Sequence, residues 1–276
     1  QYGPLSARVT GTATAPVVTL RAARPGVGIG LANLDARIVG RNGRYAVAAT
    51  GDTDYGPFNA DLFVTPGQQL TIDVRKLLFA GITANGRVVQ TVAGPFQGGL
   101  QFAGRGISGN VALGNQGGNQ RADIKARAYN ASVPGVADFT IGRAIIDANV
   151  VMFPKAPQVI ADVQLANTRY NDLVIESARA KVNYVDGRGT AQALLTGSSS
   201  VPFRIALNAQ LSPDNYLVAA KGRANGINFT TANPARITAN GGAYKLLPTR
   251  IDFGNGSSAG STRVAGSFGG GGTAAQ

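Results

Sequence analysis

Cysteine, histidine and tryptophan are all missing from the 276 residues. Without His or Cys there is no zinc finger, no Ser-His-Asp or Cys-His nucleophile system and no imidazole base. A disulfide framework is excluded too, although the compartment stays open. Glu occurs once, as Glu176, Met once and Lys six times. Straight-chain helix formers other than Ala, Leu and Arg are therefore scarce. No segment approaches the roughly 20 consecutive apolar residues of a spanning helix. No signal peptide leads the chain, which begins at Gln1. The expectation is an excerpt of a longer protein whose anchor and export signal lie outside it.

What is present points to sheet. Gly (38) and Pro (13) interrupt the chain throughout. No stretch keeps an i, i+3, i+4, i+7 apolar pattern long enough for an amphipathic helix. Period-two alternation recurs instead, in Phe203–Leu211, Ala161–Leu165, Asp123–Ala128 and Ala178–Tyr184. Successive strand side chains point to opposite faces, so these are strands with one apolar and one solvated face. One-sided burial belongs to antiparallel sheets. Asn42-Gly43, Asp186-Gly187 and Asn240-Gly241 supply the positive φ of tight hairpins. Asn115–Gln120 reads as a longer hairpin loop. A loose phrase, Tyr2-Gly3-Pro4-Leu5, Tyr55-Gly56-Pro57-Phe58, Ala93-Gly94-Pro95-Phe96 and Ser200-Val201-Pro202-Phe203, marks strand starts. At typical strand and turn lengths the chain holds roughly 20 strands. Residues 1–253 form one segment, and the Gly-rich stretch 254–276 is expected to be a flexible end.

Few residues carry chemistry. Gly104-Arg105-Gly106-Ile107-Ser108-Gly109 matches GxGxxG, but a strand follows it where a dinucleotide site needs a helix. No Lys follows a Gly, so there is no phosphate-cradling loop of the Walker type. Asp52-Thr53-Asp54 is the closest carboxylate pair, and a turn before Tyr55-Gly56-Pro57 accounts for it. No enzyme, cofactor or metal site is expected. The net charge of +12 raises nucleic acid as a partner. The Arg residues are dispersed, however, and aromatic stacking platforms are sparse at 7%. A solvated basic face is the better reading, with no nucleic acid.

The apolar face is the informative feature. Ile124, Val163, Leu165, Val182, Tyr184, Phe203, Ile205, Leu207 and Leu211 lie on it. It can be a sandwich core, the lipid-facing side of a membrane barrel, or the lining of a curled sheet that holds an apolar ligand. The many Ala on this face leave volume and favour the lining. The expected fold is all-β, a long, curled antiparallel sheet forming an elongated open groove with a hydrophobic interior. Laddered at about 4.8 Å per strand, it would run roughly 95 Å.

The run Ile38-Val39-Gly40-Arg41-Asn42-Gly43-Arg44-Tyr45, leading to Gly51-Asp52-Thr53-Asp54-Tyr55-Gly56-Pro57-Phe58, resembles the repeating unit of TamB-like proteins. These are the inner-membrane subunits of the translocation and assembly module, relatives of the AsmA-like proteins. Thr140–Ala148, Ala161–Leu165, Gly187–Ala191 and Pro248–Gly254 resemble it as well. The resemblance implies a β-groove anchored in the inner membrane and crossing the periplasm. It implies a role in moving phospholipid to the outer membrane and in outer-membrane protein assembly with the barrel subunit TamA. The implied partners are phospholipid acyl chains, bound by the nine face residues, and a TamA-type barrel engaged through regions outside this segment. Two other readings share the alternation: a scaffold that binds nascent barrel strands by edge pairing, and a closed β-sandwich of adhesin type.

Overall fold

The computed structural model describes residues 4–25, 30–54, 56–132, 139–240, 243–254 and 259–269. The backbone divides into two units, Gln1–Ile141 and Gly142–Gln276. The first holds β1 (Leu5–Thr12), β2 (Ala15–Ala22), β3 (Ala32–Arg41), β4 (Arg44–Thr53) and β5 (Gly56–Thr65). It continues with β6 (Thr71–Phe79), β7 (Ile82–Gln90), β8 (Phe96–Gly104), β9 (Ile107–Gln116) and β10 (Asn119–Ser132). Each strand pairs antiparallel with the next, a simple meander.

The second unit takes nearly all of β11 (Phe139–Val151), then β12 (Gln158–Tyr170), β13 (Leu173–Val185), β14 (Arg188–Ser199) and β15 (Val201–Ser212). It ends with β16 (Asn215–Ala224), β17 (Ile227–Thr231), β18 (Ala235–Asn240), β19 (Ala243–Gly254) and β20 (Ala259–Gly269). From β12 to β16 the meander is again sequential and antiparallel. β17 and β18 then share one place in the sheet, each pairing with a different end of β16 and of β19. β20 pairs with β19.

The all-β, antiparallel expectation is met with 20 strands, and the described residues contain no helix. The recurring phrase does mark strand starts: Leu5, Gly56, Phe96 and Val201 open β1, β5, β8 and β15. Its residues Tyr2, Gly3 and Tyr55 lie outside the described residues. Asn42-Gly43 and Asp186-Gly187 are two-residue turns with positive φ at both positions (50° and 72°, 52° and 75°). Gly241 of the third predicted turn lies outside the described residues. Arg105-Gly106 is a turn of the same kind (φ 50° and 77°), so the GxGxxG match is a hairpin between β8 and β9.

Three details correct the sequence reading. Asn115–Gln120 is not a longer loop, because β9 and β10 run into it and leave only Gly117-Gly118 as the turn. Asp52 is held across strands, accepting a hydrogen bond from Asn33 Nδ2 (2.9 Å), while the turn itself is closed by Thr53 Oγ1 donating to the Gly56 carbonyl (2.6 Å). The stretch 254–276 is not wholly outside the sheet. Ala259–Gly269 forms β20, paired with β19 from Gly254↔Ala259 to Ala243↔Gly269. The open edge of β19 supplies backbone hydrogen bonds that this apolar-poor segment could not generate alone.

The two faces differ sharply in charge. Arg21–Asp35, Arg44–Asp73, Arg87–Asp73, Arg75–Asp61 and Arg121–Asp123 pair on one side of the first unit. Arg44 also lies over the Phe63 ring, 3.9 Å from its centroid, which shields an outward-facing aromatic. In the second unit Asp162 accepts from Arg179 Nη2 at 2.9 Å, with Lys181 Nζ at 3.9 Å. The hydrogen bond from Arg179 is the main cause that holds the Asp162 carboxyl below its ordinary 3.8. A depressed carboxylate stabilises the fold above its unfolded pKa, and that contribution disappears as pH falls through the folded value. Arg179→Ala is expected to move the Asp162 titration up towards 3.8, read by carboxyl-resolved NMR. An unmoved titration would show that the ion pair does not persist in solution.

Candidate functional site

Cross-strand partners share a face, so the registers define the apolar side without further assumption. In the first unit one row of directly paired residues crosses all ten strands. It starts at Val9, passes through Val18, Ile38, Val47, Leu62, Val74, Gly86, Leu100 and Val111, and ends at Ile124. At ~4.8 Å per strand it covers about 43 Å along the sheet. The flanking row contains the buried cluster Ala36, Ala49 and Ala60, packed against Leu20, Leu34, Phe58, Leu62 and Leu77.

In the second unit the register brings the other eight predicted residues onto one face. Val163, Ala180, Ala193, Leu207 and Ala220 form one row. Leu165, Ala178, Leu195, Ile205 and Gly222 form the next row, and Val182 lies in the row on the other side of Val163, beside Ala161 and Ala191. Tyr184, Gly189, Leu211 and Tyr216 form a row nearer the sheet end, and Phe203 stands opposite Gly197 at the other end. Each of these rows mixes large apolar side chains with Ala or Gly. No Asp, Glu, Lys or Arg occupies any of these rows.

All nine predicted residues are half-buried. Among the described residues the buried apolar side chains are eight Ala with Val88, Pro95 and Val151. No Leu, Ile or Phe reaches that state. Two apolar faces packed together would cover the large side chains first. Here only the small ones disappear, under their lateral neighbours. The edge strand agrees: Val9, flanked on one side only, is 69% exposed, so nothing lies over the face there.

Bulges keep the apolar residues on one face. In β6 the apolar beat falls on Ile72 and Val74, then moves to Leu77, because Arg75 and Lys76 together oppose Asn85. Both cations are thereby exposed. A bulge between Leu246 and Thr249 of β19 shifts the beat from Leu246 to Ile251 and Phe253. Glycine faces an aromatic across the strands in Phe102–Gly109, Phe203–Gly197, Phe229–Gly222 and Phe253–Gly260. The ring lies over the bare backbone in each, within 3.0 Å of where a Cβ would stand.

The sequence reading found most of the second face and, of the first, only Ile124. The other residues of the ten-strand row were missed, and the glycine–aromatic pairs with them. The polar side has its own concavity of about 910 Å³ over β7–β9, between Asn85, Gln101, Ser108 and Asn110. Those groups are amides and hydroxyls and offer no acid–base pair. No cluster of three potential metal ligands occurs among the described residues. Comparison with known protein families, with curated proteins and with solved structures returns no match.

Proposed function

We propose that this chain is a segment of a hydrophobic conduit that carries phospholipid between the inner and outer membranes and supports outer-membrane protein assembly. The observation that carries this reading is the uncharged apolar face whose large side chains its own neighbours leave partly exposed. The TamB-like resemblance supports it and supplies the setting: the periplasm, an inner-membrane anchor outside this chain, and a TamA-type barrel as partner. Acyl chains lie on the face while headgroups stay wet. Each CH₂ removed from water is worth roughly 0.8 kcal/mol, so a continuous apolar wall offsets departure from a bilayer. Rows of similar residues give near-uniform affinity from strand to strand, which lets a lipid move along the sheet. The role is non-enzymatic.

The test is native mass spectrometry with lipid extraction on the purified chain. Phospholipid that travels with the folded protein is the expected result. Lipid-free protein would remove the conduit and leave the scaffold reading, in which nascent barrel strands pair with an open edge. One observation favours that rival: every residue of β1 is exposed, and among the described residues β1 pairs with β2 alone.

A further inference from the structure

Between Leu173 and Gly254 the aromatic residues strictly alternate in kind: Tyr184, Phe203, Tyr216, Phe229, Tyr244, Phe253. In a meander, successive turns fall at opposite ends of the strands. Alternation along the chain therefore sorts the two kinds in space. Tyr184, Tyr216 and Tyr244 lie beside the β13–β14, β15–β16 and β18–β19 connections, at one end. Phe203, Phe229 and Phe253 lie beside the β14–β15, β16–β17 and β19–β20 connections, at the other. The interrupted strand β17/β18 keeps this parity, because its two pieces occupy one place.

All six are on the apolar face by register. Tyr184 and Tyr216 meet in one row through Gly189 and Leu211, and Tyr244 pairs with Ala239 two residues from Ile237, the partner of Tyr216. Phe229 pairs directly with Phe253, and Phe203 pairs with Ala224 next to the Gly222–Phe229 pair. The Tyr216 and Tyr244 ring centroids are 6.3 Å apart. The Tyr216 phenol is pushed up mainly by burial, then by Tyr244, Asp214 and Tyr184, so it stays a neutral hydroxyl donor. The sorted stretch runs from β13 to β19: Tyr170 at the end of β12 stands at the phenylalanine end, and in β20 the register partner of Tyr244 is Phe268.

We infer that this face holds a phospholipid in one orientation, lying along the strands with its headgroup at the tyrosine end and its acyl chains directed towards the phenylalanine end. The inference rests on the conduit reading above and adds a direction to it. Tyrosine combines an apolar ring with a polar handle and belongs where hydrocarbon meets water, whereas phenylalanine offers hydrocarbon only. The dimension fits. From Tyr216 to Ala224 is eight residues, about 26 Å along the strand. A leaflet is about half of a ~30 Å hydrocarbon core, so a lipid whose headgroup stays at the tyrosines fits within the strand, its acyl termini nearer the phenylalanines than the tyrosines. Charge complementarity fixes the occupant further. The rows between the two ends carry no charge, so only an uncharged body lies across them, and its polar part must stop at the hydroxyls.

Tryptophan is absent from the chain, so a single Trp is a clean reporter. Tyr244→Trp and Phe253→Trp sit at opposite ends of β19 at partly exposed positions (36% and 40%). Tyr216→Trp and Phe229→Trp are a second pair, for use if either β19 variant loses its strand signal. Each folded variant is loaded with phosphatidylcholine bearing a nitroxide on the choline or near the acyl terminus. The headgroup label is expected to quench the tyrosine-end Trp several-fold more than the phenylalanine-end Trp, and the acyl-terminus label to do the reverse. Equal or inverted ratios would overturn the orientation while leaving lipid binding in place. Quenching by neither label at either end would overturn the conduit reading and the orientation together.

Discussion

Replacing Ile205 and Leu207 together by Asp leaves the sheet folded and strips the lipid from it. Both side chains are half-buried on the apolar face, in adjacent rows of β15. In a dry core, two unpaired carboxylates would cost several kcal/mol each and unfold the unit. On a half-open face the carboxylates turn to water. The loss is then about half the ~1.5–3 kcal/mol that full burial of each apolar side chain is worth. Circular dichroism should keep its strand signal, and the urea midpoint should fall by the equivalent of about 2 kcal/mol. Lipid loses two apolar contacts worth together about 3 kcal/mol, roughly a hundredfold in affinity. Asn208→Asp, on the opposite face of the same strand, should change neither quantity. An unfolded double variant would mean the face is covered. A folded one that keeps its lipid would place the lipid elsewhere.

How much of this was readable beforehand depends on where the sheet is regular. β14, β15 and β16 pair without a register shift, so the alternation in Phe203–Leu211 carries straight into the apolar rows. The first unit is harder to read because its strands change beat. Ile72, Val74 and Leu77 share a face only through the bulge at Arg75-Lys76, and a strict period of two would have turned Leu77 outward. Adjacent Arg and Lys in an otherwise dispersed basic set were the visible trace of that bulge. Glycine–aromatic pairs were hidden for a different reason. They depend on which residue faces which, and alternation within one strand does not give the register between two. The Tyr–Phe alternation was in plain view, yet it acquires meaning only once turns are assigned to ends. Ala259–Gly269 was misread because apolar content was asked to justify a strand that an existing edge already templates.

Gly197→Ala should destabilise the second unit, although alanine is ordinarily the better strand residue. A Cβ at Gly197 would run into the Val174 carbonyl oxygen and lie 3.0 Å from Phe203 Cζ and 3.1 Å from Ile175 Cα. Two of those atoms are backbone, in a strand paired on both sides, and cannot step away cheaply. Overpacking of this kind costs roughly 1–3 kcal/mol. Gly266→Ala is the control: nothing lies within 4 Å of its would-be Cβ, and its backbone is not left-handed. There the smaller freedom of the unfolded chain should stabilise by a few tenths to about 1 kcal/mol. The two changes are chemically identical and opposite in sign, so urea midpoints separate them without an absolute scale. Gly222→Ala repeats the first case, with the Arg204 carbonyl and the Phe229 ring as the obstacles. Combining Gly197→Ala with Phe203→Leu distinguishes ring from backbone. If the ring is the obstacle, the second change restores part of what the first removed. If the backbone is, the two losses add, and the glycine is there to let neighbouring strands close, with the aromatic merely covering the gap.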